Sequence, residues 1–180
     1  MKRKIILTAF AATSLIFSST QAFALINFSV GIPFSHTFTG NWYDGDSVES
    51  DGTSGMFIQV GVPMFPGVGI DNYKTGVKSE TTDVELDTTI YNLYYLLPIP
   101  MINLTLGAGV GSTTLNCSIC SQYFDKGSAN QWYFSVGMPI IPLFDLHLSY
   151  RSVSTKIKSK VLAESDFGGN VMGLGIGFNF

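Results

Sequence analysis

The stretch VGVPMFPGVGI, residues 60–70, places a short proline turn between two runs in which apolar residues alternate with smaller ones. The same arrangement occurs in LLPIPMINL at residues 96–104 and in VGMPIIPLFDL at residues 136–146. Alternation with a period of two is the pattern of a β-strand whose two faces meet different surroundings. Two such strands joined by a short turn form a hairpin, so the sequence predicts three hairpins of one kind.

The period of two continues on both sides of these turns and predicts eight strands. The predicted strands are 26–39, 55–64, 67–77, 86–97, 101–114, 129–139, 143–158 and 169–180. The second, fourth and sixth strands end in the proline turns. The other connections are longer and polar, and they are predicted at 40–54, 78–85, 115–128 and 159–168. One end of the structure should therefore carry short turns and the opposite end the polar loops.

Residues 1–24 have the features of a secretory signal peptide. A basic segment, residues 1–4, precedes an apolar run at 5–17, and Ala22-Phe23-Ala24 forms a cleavage site. An apolar run of this length is too short to cross a membrane as a helix. We therefore expect a cleaved signal peptide at 1–24 and a single exported domain at 25–180.

The composition and charge argue against nucleic-acid binding. The chain is 46% hydrophobic and only 13% charged, whereas a typical soluble domain has about 25% charged residues. Three of the ten basic residues lie in the signal segment, which leaves seven basic and thirteen acidic residues in the mature chain. An acidic exported chain is a poor partner for nucleic acid.

The two faces of the predicted strands indicate which solvent surrounds them. In residues 102–111, Ile102, Leu104 and Leu106 alternate with asparagine, threonine and glycine. A soluble lipocalin-type barrel would turn a charged face to water, whereas small uncharged residues suit a crowded interior. Only helices and closed barrels satisfy every backbone hydrogen bond in a bilayer. The sequence therefore predicts an all-β protein, an eight-stranded antiparallel transmembrane up-and-down β-barrel with a filled interior.

The ending GLGIGFNF, residues 173–180, has a terminal Phe180 preceded by apolar residues at alternate positions. These positions are Leu174, Ile176 and Phe178. In this ending and in its eight strands the chain resembles the small outer-membrane β-barrels, the group of the OmpA transmembrane domain, OmpX and OmpW. The resemblance implies a Gram-negative outer membrane, contact with lipid and lipopolysaccharide, periplasmic termini and turns, and an ending recognised by the barrel-assembly machinery.

His147 and Ser149 form an H-x-S pattern on the seventh predicted strand. They resemble the catalytic pair of a lipid A deacylase family of eight-stranded barrels, in which histidine activates a serine nucleophile. The pattern departs from that family because alternation turns both residues inward and Tyr150 replaces an asparagine. The nearest downstream acid, Glu164, lies by a loop. The alternative is a polar pair hydrogen-bonded inside the barrel, which we expect.

Asp145 and Arg151 also face the interior of the predicted barrel. They are six residues apart, about 20 Å along a strand, and cannot pair with each other. Because buried charges need partners, each should pair with another strand or meet water at a rim.

Cys117 and Cys120 form C-S-I-C in the third polar loop. No further cysteine is present to complete a zinc site. Because an exported thiol meets oxidising conditions, we expect a disulfide between them.

The first polar loop contains four acids that loosely match a calcium loop. They are Asp44, Asp46, Glu49 and Asp51. The spacing lacks the full calcium-loop pattern, so we expect a solvated acidic loop, with cation bridging to lipopolysaccharide as the alternative. No cofactor is predicted.

The sequence predicts a non-enzymatic role in envelope integrity, adhesion or recognition of a surface ligand through the loops. Two alternatives remain open. One is a narrow channel or binding barrel for small apolar solutes, in space left by glycines unless Tyr94, Gln131 or Tyr133 fills it. The other is a lipid A-modifying acyl hydrolase that uses His147 and Ser149.

Overall fold

A computed structural model describes residues 26–42, 45–62, 64–78, 84–99, 102–118, 120–141, 143–160 and 164–179. These residues form nine strands and one short helix. The strands are β1 (Asn27–Phe38), β2 (Ser50–Gly61), β3 (Gly67–Val77), β4 (Val84–Ile99), β5 (Ile102–Asn116), β6 (Gly127–Ile141), β7 (Phe144–Ile157), β8 (Ser165–Asp166) and β9 (Gly169–Asn179), and the helix is α1 (Cys120–Tyr123). The predicted signal segment lies outside the described residues.

Eight long strands close into a ring. Consecutive strands from β1 to β7 pair antiparallel, β7 pairs with β9, and β9 returns to β1. The two-residue β8 pairs only with the end of β7. This confirms the predicted eight-stranded antiparallel barrel. We call the end with the short connections at 61–67, 99–102 and 141–144 the turn end, and the opposite end the loop end.

The sheet extends further at the loop end than the alternation predicts. β2 begins at Ser50 rather than at residue 55, because the polar segment at 50–54 pairs with β3 across a register shift between Ser50 and Thr53. This segment lacks apolar alternation, so the sequence pattern does not predict that it is part of a strand. The helix α1 and strand β8 occupy parts of the predicted third and fourth loops. Within the described residues, no helix is long and apolar enough to cross a membrane.

The polarity of the barrel is reversed relative to a water-soluble protein. Outward side chains such as Val68, Leu93 and Val110 are more than half exposed, and Asp71 and Thr75 on the inner face are fully buried. Such an arrangement places apolar side chains in lipid and polar ones inside. The outer surface is therefore suited to a bilayer.

A bulge in β1 changes which residues face the interior. The β1–β9 register shifts between Pro33 and Ser35, and a bulge adds a residue that reverses the alternation beyond it. Phe34 faces outward, in line with the alternation before the bulge, whereas His36 is buried with its Nδ1 atom 2.9 Å from Oγ1 of Thr75. Simple continuation of the sequence pattern would place His36 on the lipid face.

Two apolar clusters lie inside the ring. One surrounds the middle of the barrel and consists of Phe57, Tyr73, Ile90, Ala129, Val153 and Val171. The other closes the loop end and consists of Val48, Val77, Leu86, Leu115, Cys120, Ile157 and Phe167. We call the second cluster the loop-end cap. Because loop residues join strand residues in it, the cap fixes the connections to the barrel.

Candidate functional site

Arg151 lies at the centre of the barrel interior. Its Nε donates a hydrogen bond to Oδ2 of Asp71 at 2.9 Å. The guanidinium carbon lies 3.5 Å from the ring centroid of Phe57 and 4.9 Å from that of Tyr133. Two aromatic faces and a carboxylate therefore surround the cation, which compensates for its removal from water.

Amide side chains extend this contact to other strands. The Gln131 amide donates to Oδ2 of Asp71 at 2.5 Å and to Oδ1 of Asn92 at 2.6 Å. Gln59 donates to the hydroxyl of Tyr133 at 2.8 Å. Together with the Arg151–Asp71 bond, these contacts connect β2 with β6 and β3 with β7, which are opposite strands of the ring. The network therefore crosses the lumen in two directions.

Tyrosine rings occupy the space that the interior glycines leave. A Cβ atom at Gly107 would lie 2.3 Å from Cε1 of Tyr133, and one at Gly67 would lie 2.3 Å from Cζ of Tyr94. Both tyrosines are buried. The absence of a side chain at these glycines is therefore what admits the rings.

Asp145 forms a second polar cluster nearer the turn end. Asn103 donates to its Oδ2 at 2.5 Å, Asn179 donates to the same oxygen at 2.9 Å, and His147 contacts Oδ1 through Nε2. These groups come from β5, β7 and β9. Asp145 and Arg151 thus occupy separate clusters, each with partners on other strands.

His147 and Ser149 point into the lumen and are engaged separately. The Ser149 hydroxyl accepts a hydrogen bond from Nη1 of Arg151 and donates to the carbonyl oxygen of Gly173 at 3.2 Å. His147 contacts Asp145 instead. Glu164 is 3.8 Å from Lys156 at the loop end. The structure therefore does not bring a serine, a histidine and this acid together.

A cavity lies against the wall formed by β1 and β9. Its volume is about 20 Å³, which is room for about one water molecule. Its polar lining includes Ser29, Gln59, Ser135, His147 and Arg151. Hydroxyl, amide and charged groups suit water or a small polar molecule better than the apolar solute considered from the sequence.

The loop-end cap contains the cysteine pair. Cys117 and Cys120 are joined by a disulfide at the start of α1, and Cys120 is buried in the cap. Phe167 is fully buried, with the ring of Trp42 at a centroid distance of 5.0 Å. The disulfide therefore links two residues within the third loop, and burial of Cys120 in the cap packs that loop against the end of the barrel.

The acidic residues of the first loop are dispersed. Glu49 forms an ion pair with Lys78 at 3.1 Å, Asp46 and Asp51 are exposed, and Asp44 lies outside the described residues. Among the described residues, no group of three or more histidines, cysteines or acids is placed to hold a metal ion.

The C-terminal pattern lies mainly on the outer face. Leu174 and Ile176 are exposed, and Phe178 packs against Phe144 with ring centroids 5.0 Å apart. Phe180 lies outside the described residues. Alternating apolar side chains at this end therefore contribute to the lipid-facing surface.

The sequence pattern does not indicate the partners that define the interior network, chiefly Asp71, Gln59 and Asn103. Asp71 shares its strand face with Tyr73 and Thr75, so its alternation indicates that it faces inward. Alternation indicates on which face of the strand a side chain lies, but it does not indicate which residue across the lumen that side chain contacts.

Comparisons with known proteins agree with this architecture. Residues 8–180 match the family described as outer membrane protein beta-barrel domain. The structure of Neisserial surface protein A has a TM-score of 0.61 and 13% identity, covering 86% of this chain and 96% of that one. OprG from Pseudomonas aeruginosa has a TM-score of 0.55 and 13% identity, covering 87% and 96%. At such identities the likeness shows the fold alone. No curated protein sequence matches significantly.

Proposed function

The chain belongs to the outer membrane protein beta-barrel domain family, and from this premise we propose that it is a closed, non-enzymatic barrel with a structural or surface-interaction role. The loop end faces the exterior, and both termini face the periplasm. Short connections at one end and longer ones at the other support this orientation, because outer-membrane barrels have short periplasmic turns.

The observation that carries the proposal is the filled lumen. Tyr73 and Tyr133 are almost completely buried. Arg151 on β7 pairs with Asp71 on the opposite strand β3. Opening a path would separate a buried ion pair and leave each charge without its partner, which is costly. These contacts support a barrel that transmits no solute.

The loop end is the part of the molecule best suited to interaction. The extended β2, the Cys117–Cys120 disulfide and the loop-end cap hold the described parts of its first, third and fourth connections in place. A pre-organised surface loses little conformational entropy when it binds a partner. This favours recognition or envelope contacts through the loops over a role for the interior.

The interior also gives little support to acyl hydrolysis. A lipid A deacylase needs a nucleophile that its acylated substrate can reach, and Ser149 is buried and bonded to Arg151 and Gly173. His147 is bonded elsewhere. We therefore retain the non-enzymatic role.

Conductance tests the closed lumen. Refolded wild-type protein in planar bilayers should give no steady ohmic conductance, whereas the Tyr133→Ala, Arg151→Ala double variant should pass ions intermittently, because both groups that cross the lumen are shortened. A matched outer-face variant, Val110→Ala, should behave as wild type. Steady wild-type conductance would show instead that a channel exists.

Epitope tags test the orientation. Gly45 is exposed at the loop end, and a Cβ at this position would meet no atom within 4 Å, so an insertion there should be tolerated. A tag at Gly45 should be detected on intact cells, and a tag between Met64 and Phe65 only after permeabilisation. The reverse pattern would overturn the orientation.

Loss-of-function measurements test the role itself. A deletion strain should become more sensitive to bile salts or lose attachment to a host surface, and wild-type protein should restore the lost property. The His147→Ala, Ser149→Ala variant should restore it equally if it reaches the membrane. Failure of this variant despite normal folding would indicate that the interior pair has a functional role.

A further inference from the structure

Four lysines are concentrated at the loop end of the β6–β7 pair. We call them the lysine patch: Lys126, Lys156, Lys158 and Lys160. All four are exposed, and they are four of the seven basic residues that follow residue 24. In a mature chain with thirteen acidic residues, this makes one side of the loop end locally cationic.

The acids near the lysine patch compensate it only partly. Lys156 is 3.8 Å from Glu164, and Lys160 is 3.6 Å from Asp125. Asp166 lies opposite Lys156 in the β7–β8 register, but its Oδ1 accepts a hydrogen bond from the Gly168 amide at 2.8 Å.

The remaining two patch residues, Lys126 and Lys158, occur in none of the ion pairs formed within the described part of the chain. Among the described residues, the four ammonium groups thus have three nearby carboxylates, two of them in ion pairs at 3.6 and 3.8 Å and one already hydrogen-bonded to a backbone amide.

The other outward lysines have closer acidic partners. Lys74 is 2.8 Å from Glu85 and also lies opposite Asp87 in the β3–β4 register, and Lys78 is 3.1 Å from Glu49. The excess positive charge is therefore specific to the β6–β7 side and is not a property of the whole rim.

On the outer face of β6 and β7, the side chains become progressively less polar from the lysine patch toward the turn end. Successive outward pairs in the register are Ser128–Lys156, Asn130–Ser154, Trp132–Ser152, Phe134–Tyr150, Val136–Leu148 and Met138–Leu146. Cationic groups are followed by hydroxyl and amide groups, then by aromatic rings, then by aliphatic side chains. The rings of Phe134 and Tyr150 stack with centroids 5.5 Å apart.

The height of each row along β6 places the lysine patch at the edge of a bilayer. Between Ile141 and Trp132 the strand advances nine residues, or about 23 Å of height at about 3.3 Å per residue and a tilt of about 40°. An apolar band of about 25 Å is typical of these barrels, so Trp132 marks the hydrocarbon edge. The Lys156 row lies four residues further, about 10 Å higher, where long lysine stems can reach headgroups.

We propose that the lysine patch and the β6–β7 face below it bind the phosphorylated disaccharide of lipopolysaccharide. Phosphates would meet the lysines, sugar hydroxyls would meet Ser128, Asn130 and Ser154, and acyl chains would lie along the aromatic and aliphatic rows. The order of groups on the protein matches the order in this lipid, and the charges are complementary. The proposal rests on the proposed orientation, which puts the loop end in the lipopolysaccharide leaflet.

Binding to full-length protein in nanodiscs tests this inference. Native mass spectrometry would count bound bisphosphorylated lipid A, monophosphorylated lipid A and phosphatidylglycerol. We expect bisphosphorylated lipid A to bind most tightly. Changing all four patch lysines to glutamine should weaken it about a hundredfold. The matched Lys74→Gln, Lys78→Gln variant should stay within about twofold of wild type, because its lysines are already paired.

Three results would overturn the site: equal binding by the four-lysine variant, equal binding of phosphatidylglycerol, or an equal loss in the control variant. A heat-modifiability gel verifies folding, and Lys126→Gln with Lys158→Gln is the milder variant. Because the tags report orientation in cells and the nanodiscs report lipid binding in vitro, a wrong orientation and a wrong binding site would be told apart.

Discussion

Arg151 and Asp71 are joined by a 2.9 Å hydrogen bond across the barrel, although 80 residues separate them in the sequence. Their strands, β7 and β3, stand opposite each other in the ring of eight. The pair therefore ties two walls that share no backbone hydrogen bonds. Because both side chains are buried, neither can exchange its partner for bulk water.

The first prediction concerns this pair. Arg151→Met should lower the free energy of unfolding by about 3–5 kcal/mol, because it leaves the Asp71 carboxylate buried without its cation. Urea titration of the refolded barrel, followed by heat-modifiability on gels, measures the loss. Asp71→Asn combined with Arg151→Met should recover part of it. Equal stability of the single variant and wild type would mean that the pair contributes no net stability.

The second prediction concerns the space for Tyr133. Gly107→Ala should destabilise the barrel, because the new Cβ would overlap the ring, and overpacking costs about 1–3 kcal/mol. Adding Tyr133→Leu should reduce the penalty in the same urea assay. If the second substitution only adds to the loss, the ring is not the source of the strain.

The third prediction concerns the backbone conformation of two glycines with positive φ, one within β2 and one in the first loop. Gly55 has φ of 139°, and a Cβ there would lie 2.4 Å from the carbonyl oxygen of Asn72. Gly45 has φ of 94° but open space around it. Gly45→Ala should cost only backbone strain, about 1–3 kcal/mol. Gly55→Ala adds a steric overlap to this strain, so it should lower the unfolding midpoint further. Similar shifts would show that β2 relaxes around the added methyl group.

The fourth prediction concerns the H-x-S pair. The His147→Ala, Ser149→Ala variant should leave the lipid A acyl pattern unchanged, since neither side chain reaches the lipid. The same substitutions should lower stability, because Asp145 and Arg151 each lose a polar contact. Mass spectrometry of lipid A, compared between this variant, wild type and a deletion strain, decides the point. If wild-type protein changes the lipid A acyl pattern relative to the deletion strain and the double variant does not, the hydrolase hypothesis would be supported.

The fifth prediction concerns the disulfide. Replacing Cys117 and Cys120 with serine should speed proteolysis of the third loop and change the global unfolding midpoint little, because the bridge closes a short loop. Limited proteolysis at the loop end, with and without dithiothreitol, measures the local effect. A collapse of the whole barrel on reduction would show that the loop-end cap controls global stability.

The sequence predicts the strands of the barrel better than the contacts between side chains in its interior. Alternation located all eight long strands and their lipid-facing side, because side-chain period is a local property of each strand. It missed the polar start of β2 at Ser50, where pairing with β3 rather than apolar patterning defines the strand. It also gives no account of His36, whose inward direction depends on the bulge between Pro33 and Ser35.

Local alternation is enough to predict an antiparallel barrel with an apolar exterior, the inward direction of Asp145, His147, Ser149 and Arg151, and one end with short proline turns. Which of these groups meet depends on the closed barrel. The lumen partners of Arg151 depend on strand stagger and ring closure, which bring β3 and β7 to opposite walls at one height. Such contacts are set by the geometry of the closed sheet, and no local pattern in the chain encodes them.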